Sequence, residues 1–105
     1  MFPIVLVIWL NIPIQLAPCD VYGTVYEVEY PSQADYFVYE SGSEAFADVI
    51  VYEETNRLYA DKKGKWFFAK KPGLARHKIY FVDKKSQADF SVYFTQFESF
   101  AGCNQ

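Results

Sequence analysis

The sequence predicts an all-β domain built from short strands in repeats of about 13 residues. Two observations carry this. An alanine recurs at Ala34, Ala47, Ala60, Ala75, Ala88 and Ala101, in steps of 13, 13, 15, 13 and 13 residues. A β-branched residue followed by tyrosine recurs in the same phase, at Val38-Tyr39, Val51-Tyr52, Ile79-Tyr80 and Val92-Tyr93. Two features holding one phase mark a repeated structural unit rather than a chance of composition.

Each part of the unit has a physical reading. Val, Ile, Tyr and Phe suit a half-buried pleated surface, so strands are expected to centre on Val25, Val38, Val51, Ile79 and Val92. Asp follows the alanine at Asp35, Asp48, Asp61 and Asp89. These aspartates are expected to be turn formers, each accepting backbone N–H bonds within its own turn. The small alanines mark close approach of another segment, so Ala34, Ala47 and Ala88 are expected to be buried. Ala60 belongs to the same set. In the long step Gly64 and Lys65 absorb an insertion, and Trp66-Phe67 takes the place of the Val-Tyr pair.

In chain order, residues 1–18 are a hydrophobic, signal-like leader, possibly retained, and 19–105 form the domain. The apolar run Phe2 to Leu16 is interrupted by Asn11, Pro13 and Gln15, too short and broken for a stable membrane span. A buried strand of the fold is the alternative reading of that run. Tyr22 to Tyr30 alternates like a strand up to Pro31. Tyr36–Glu40 and Val49–Glu53 follow, with one helical turn at Glu44-Ala45-Phe46-Ala47 between them. Asp61-Lys62-Lys63-Gly64-Lys65 reads as a hairpin turn leading to Trp66-Phe67-Phe68. Lys70-Lys71-Pro72-Gly73 is a further turn. His77–Val82 and Phe90–Thr95 complete the strands.

The segments from Tyr26 to Asp35 and from Ile79 to Asp89 each carry Ser-Gln-Ala-Asp, with flanking Val-Tyr and Phe-Val-Asp. In this they resemble the 7(1) septoil knot domain, a small bacterial family of unknown function. The resemblance covers roughly 19–102. It implies that the short strands are wound into one compact closed β domain whose backbone is a 7(1) torus knot, so that strands pair with units distant in sequence.

Composition and charge bound the function. One domain fits in 105 residues, and an aromatic content of 20% lets a few large side chains build much of the core. A net charge of −3 argues against a globally basic nucleic-acid binder. Nine acidic and no basic residues lie between Asp20 and Glu54, whereas all ten Lys and Arg lie beyond it. Either the two halves interleave and neutralise each other, or a basic face meets an anionic partner.

Candidate sites are few. Cys19 and Cys103 flank the repeat array and are the two cysteines of the chain. In an exported protein they are read as a disulfide candidate, which closes a loop of about 85 residues and adds roughly 4–5 kcal/mol on chain-entropy grounds. Two unpaired thiols are the other reading. Lys62, Lys63, Lys65, Trp66, Lys70 and Lys71 form the one stretch resembling an anion contact, since aromatics can stack while lysines meet phosphates. The alternative there is core aromatics beside a solvated turn. His77 is read as a surface imidazole beside a strand. No nucleophile motif, phosphate loop or metal-ligand spacing is visible, so no catalytic residue, cofactor or metal is expected. The function predicted is a non-enzymatic, exported (periplasmic or extracellular) structural or interaction domain with no identified partner. The alternative is a module binding a carbohydrate or anionic polymer through exposed aromatics and Lys62–Lys71.

Overall fold

The computed structural model describes residues 17–104. Most of the expected leader therefore lies outside the described residues; of its last two, Pro18 opens a 3₁₀ turn. Seven strands are present among the described residues: β1 (Gly23–Glu27), β2 (Tyr36–Glu40), β3 (Val49–Glu53), β4 (Lys65–Phe68), β5 (His77–Val82), β6 (Phe90–Thr95) and β7 (Gly102–Cys103). Every expected strand centre falls in a strand. The first strand is shorter than its alternation suggests. It stops at Glu27, and Val28 donates its N–H to the Ile79 carbonyl before the chain bends toward Pro31.

The recurring alanine closes a three-residue 3₁₀ turn. In Pro31–Gln33, Glu44–Phe46, Arg57–Tyr59, Pro72–Leu74, Lys85–Gln87 and Glu98–Phe100, the alanine N–H returns to the first residue's carbonyl. Proline suits the first position, where its fixed φ is helical and no N–H is needed. Ala47 and Ala60 are buried. Ala34 and Ala88, expected to be buried, are only half-buried; the Ala47 turn, by contrast, has Asn104 Nδ2 donating to its Glu44 and Ala47 carbonyls.

Six strands close into a parallel barrel in the order β4-β1-β5-β2-β6-β3, with β3 pairing back onto β4; β7 adds antiparallel to β3. Parallel strands need a crossover back to the starting end. The segment 61–65 is therefore not a hairpin: Lys65 closes a tight turn onto Lys62, but β3 and β4 run in the same direction. The crossovers from β1 to β2, β2 to β3, β4 to β5 and β5 to β6 each span a strand from the other half of the chain, whereas β3 and β4 lie side by side. The link from β1 to β2 bonds to β5 at Val28 and Asp35, and the link from β4 to β5 bonds to β1 at Ala69 and Arg76. The chain thus travels round the barrel twice, and the second circuit fits between the strands of the first. Strands of the acidic first half alternate with strands of the basic second half, so the two halves interleave as one reading of the charge asymmetry expects.

One residue per strand fills the barrel's waist. Val25, Val38, Val51, Trp66, Ile79 and Val92 are all fully buried. Trp66 supplies the bulk, and its Nε1 donates to the Val21 carbonyl at 2.8 Å, so its polar atom is satisfied. At the tight corner where β7 joins β3, Gly64 has φ +86°, and a methyl there would overlap the Gly102 nitrogen and the Ile50 carbonyl. No side chain fits that approach.

The aspartates do something the sequence reading missed. Asp35 donates its N–H to the Lys78 carbonyl and accepts the Lys78 N–H on Oδ2 at 2.9 Å. Asp48 holds both backbone groups of Ser91 in the same way, and Asp89 both of Phe37. The expectation that each carboxylate caps its own turn is therefore corrected: three of them clamp a strand 43 to 52 residues away. The cause is the staggered register, which leaves a backbone N–H of the neighbouring strand without a ladder partner just before each new strand starts. Asp61 makes no such bond among the described residues, because the insertion delays β4. Asp48→Ala is expected to lower the unfolding free energy by about 1–2 kcal/mol in urea titration, in the range of a charge-assisted hydrogen bond. Asp61→Ala should change little. Equal losses at the two positions would refute the clamp.

Candidate functional site

The C-terminal mouth of the barrel is a concave, open cup of about 530 Å³ lined by Glu27, Glu40, Glu53, Phe68, Phe81 and Phe94. Side chains two residues apart on a strand share a face, so these six stand one layer above the buried waist. The strand order sets their sequence round the rim: Phe68, Glu27, Phe81, Glu40, Phe94, Glu53, and back to Phe68. Carboxylate and phenyl alternate with threefold pseudosymmetry.

The two residue types behave differently. The phenyl rings are half-buried and packed on the core. Phe94 lies 6.2 Å from Phe68, from Phe81 and from Trp66. The glutamates are exposed, and among the described residues none forms an ion pair. No group of three acidic, His or Cys side chains is close enough to hold a metal ion among the described residues. Three negative charges set apart by aromatic faces suit a larger, organic cation, which the rings attract through their quadrupoles.

The sequence contains this ring in plain form. Val25-Tyr26-Glu27, Val38-Tyr39-Glu40 and Val51-Tyr52-Glu53 are followed by Trp66-Phe67-Phe68, Ile79-Tyr80-Phe81 and Val92-Tyr93-Phe94. Reading each unit one residue past its Val-Tyr pair would have found it. Its closure into a ring needed the strand order.

The sequence-derived anion contact is not assembled. Trp66 is fully buried, so it cannot stack on a ligand. Lys62 and Lys63 precede β4 and Lys70 and Lys71 follow it, at opposite ends of the strand. Lys63 Nζ lies 3.5 Å from Asp20. Lys65 bonds to Glu98 and lies 3.6 Å from Glu54, and the Glu98 contact holds its ammonium above the ordinary value. These corrections share one cause: alternation along β4 turns Trp66 inward and spends the neighbouring lysine on acidic partners. The tyrosines of the Val-Tyr pairs are half-buried on the outer face. The exposed large apolar residues sit at or beside the 3₁₀ turns instead, at Tyr30, Phe46, Leu58, Tyr59, Leu74, Phe97 and Phe100.

Cys19 and Cys103 are bridged, with Cα atoms 5.4 Å apart. The bridge joins the first 3₁₀ turn to β7.

His77 is not a plain surface imidazole. It is half-buried, 5.8 Å from the Tyr36 ring, and its Nε2 is buried with no hydrogen-bond partner. Burial pushes its pKa below 6.5, helped by the Arg76 charge and opposed by Asp35. The fold therefore favours the neutral ring. As pH falls below 6.5 the unfolded chain takes up the proton first, so stability present above that pH is lost in the window beneath it. Thermal melts between about pH 7 and pH 5.5 should show that slope. His77→Phe, which keeps a ring against Tyr36, should flatten it; an unaltered slope would assign the effect elsewhere.

No curated protein and no solved structure matches the chain. A family model described as the 7(1) septoil knot domain matches residues 18–104. That span takes in the closed barrel, β7 and both cysteines. On sequence and architecture together, the chain belongs to the 7(1) septoil knot domain family.

Proposed function

We propose that this domain is a non-enzymatic, exported interaction module, and that the cup is its contact site for a cationic side chain, lysine or arginine, of a partner polypeptide. The alternation of Glu27, Glu40 and Glu53 with Phe68, Phe81 and Phe94 carries the reading. Each carboxylate has a phenyl ring on both sides, rather than a second carboxylate or a nucleophile, which favours holding a cation over acid–base chemistry. Cation–π attraction at exposed rings contributes about 0.5–1 kcal/mol each. A single side chain is therefore held weakly, and useful affinity comes from several contacts with one partner. The dispersal of Lys62–Lys71 weighs against the anionic-polymer alternative.

Trilysine titrated into the ¹⁵N- and ¹³C-labelled protein should shift the ring resonances of Phe68, Phe81 and Phe94, and added salt should reverse the shifts. Replacing Glu27, Glu40 and Glu53 together by Gln should abolish the response without unfolding the protein, since all three are exposed. Shifts confined to other surfaces, or an unchanged response in the triple variant, would refute the cup.

Export is supported by the bridged cysteines at the ends of the array and by the apolar amino-terminal run. Protein trapped with a thiol-alkylating reagent in its native cells should carry no label on Cys19 or Cys103. Recovery with both thiols alkylated would place it in a reducing compartment instead.

A further inference from the structure

We propose that the Cys19–Cys103 bridge is a topological lock, which turns the interleaved chain into a covalent knot that survives complete unfolding. The observation is one of position. The two circuits begin at β1, just after Cys19, and end at β7, which contains Cys103. The bridge spans 84 residues of separation, so every crossover and every strand lies inside the covalent ring.

An open chain loses its entanglement when an end slips back through it. β7, the last strand of the array, is two residues long, so it is a short element to withdraw. Once the sulfurs are joined, no end remains inside the array. Denaturant can break every hydrogen bond and empty the core, but the crossings cannot be undone without cleaving a covalent bond. An ordinary disulfide restricts the unfolded chain by its loop length alone. Here it also preserves the order in which strands pass one another, which is the part of folding that non-local topology makes slow. The lock opens by thiol–disulfide exchange: a dithiol gives up two electrons and two protons, both cysteines become thiols, and the reductant closes its own disulfide. Cys103 is exposed, so that exchange has access.

The test compares two full-length chains of one mass and one cross-link. The first is the native oxidised protein, unfolded in guanidinium. The second is made by chemical synthesis in guanidinium, never folded, and oxidised there at low concentration. The native-derived chain should be more compact in denaturant by size exclusion and should regain the native near-ultraviolet spectrum on dilution. The other should lose that recovery, and regain it when dithiothreitol is added during dilution and then removed. Co-elution of the two chains in denaturant, or equal refolding without reductant, would overturn the lock.

Discussion

Each strand of this barrel takes most of its hydrogen bonds from the other half of the chain. β1 pairs with β4 and β5, β2 with β5 and β6, and β3 with β6, β4 and β7. None of β1, β2 and β3 pairs with another of the three, so the first half of the domain has no ladder of its own. A five-residue strand without its ladder keeps unsatisfied backbone groups. The first circuit is therefore stable only once the second is in place between its strands, and cooperativity follows from connectivity rather than from any one contact.

The aspartate clamps and the bridge answer to this constraint at different scales. Staggered parallel registers leave one N–H per junction short of a partner, and Asp35, Asp48 and Asp89 each supply the missing acceptor from the strand about to begin. The clamp works only when both circuits are present, so it stabilises the assembled register and no partial one. Trp66 acts similarly in the interior. It is the one large residue in a waist of Val and Ile, and its indole reaches the Val21 carbonyl beneath the opening of β1.

Local structure was legible in the sequence because its causes are local. Four strands, β2, β3, β5 and β6, have the ends that alternation and turn residues suggest, and every alanine marks its 3₁₀ turn. The misreadings concern partners. Asp at a turn looks like a turn cap, and only the register of a strand some 43 residues away shows otherwise. Lysines around an aromatic triplet look like one surface until strand alternation buries Trp66 and turns its neighbours apart. A period of 13 residues, on its own, fits a solenoid of stacked neighbours as well as an interleaved barrel. The family resemblance separated those two, and composition did not.

Interleaving also explains why the mouth has threefold pseudosymmetry. The chain places its first-half strands at every second position round the barrel and fills the gaps from the second half. Any residue type that differs between the halves at one repeat position must then alternate round the ring. At the waist the rule is nearly invisible, because Val, Ile and Trp are all apolar. One layer higher, the first half has Glu and the second has Phe, and the same rule produces carboxylate, phenyl, carboxylate, phenyl, carboxylate, phenyl. Three like charges drawn to one face repel each other, and on a stacked solenoid they would form one uninterrupted acidic row. Here a strand bearing phenylalanine stands between each pair, and the added separation lowers that cost while leaving the rim anionic. Exchanging Glu40 with Phe81 would keep the composition and the charge and destroy the alternation. The cup's character therefore depends on the order of the two circuits as much as on the residues that line it.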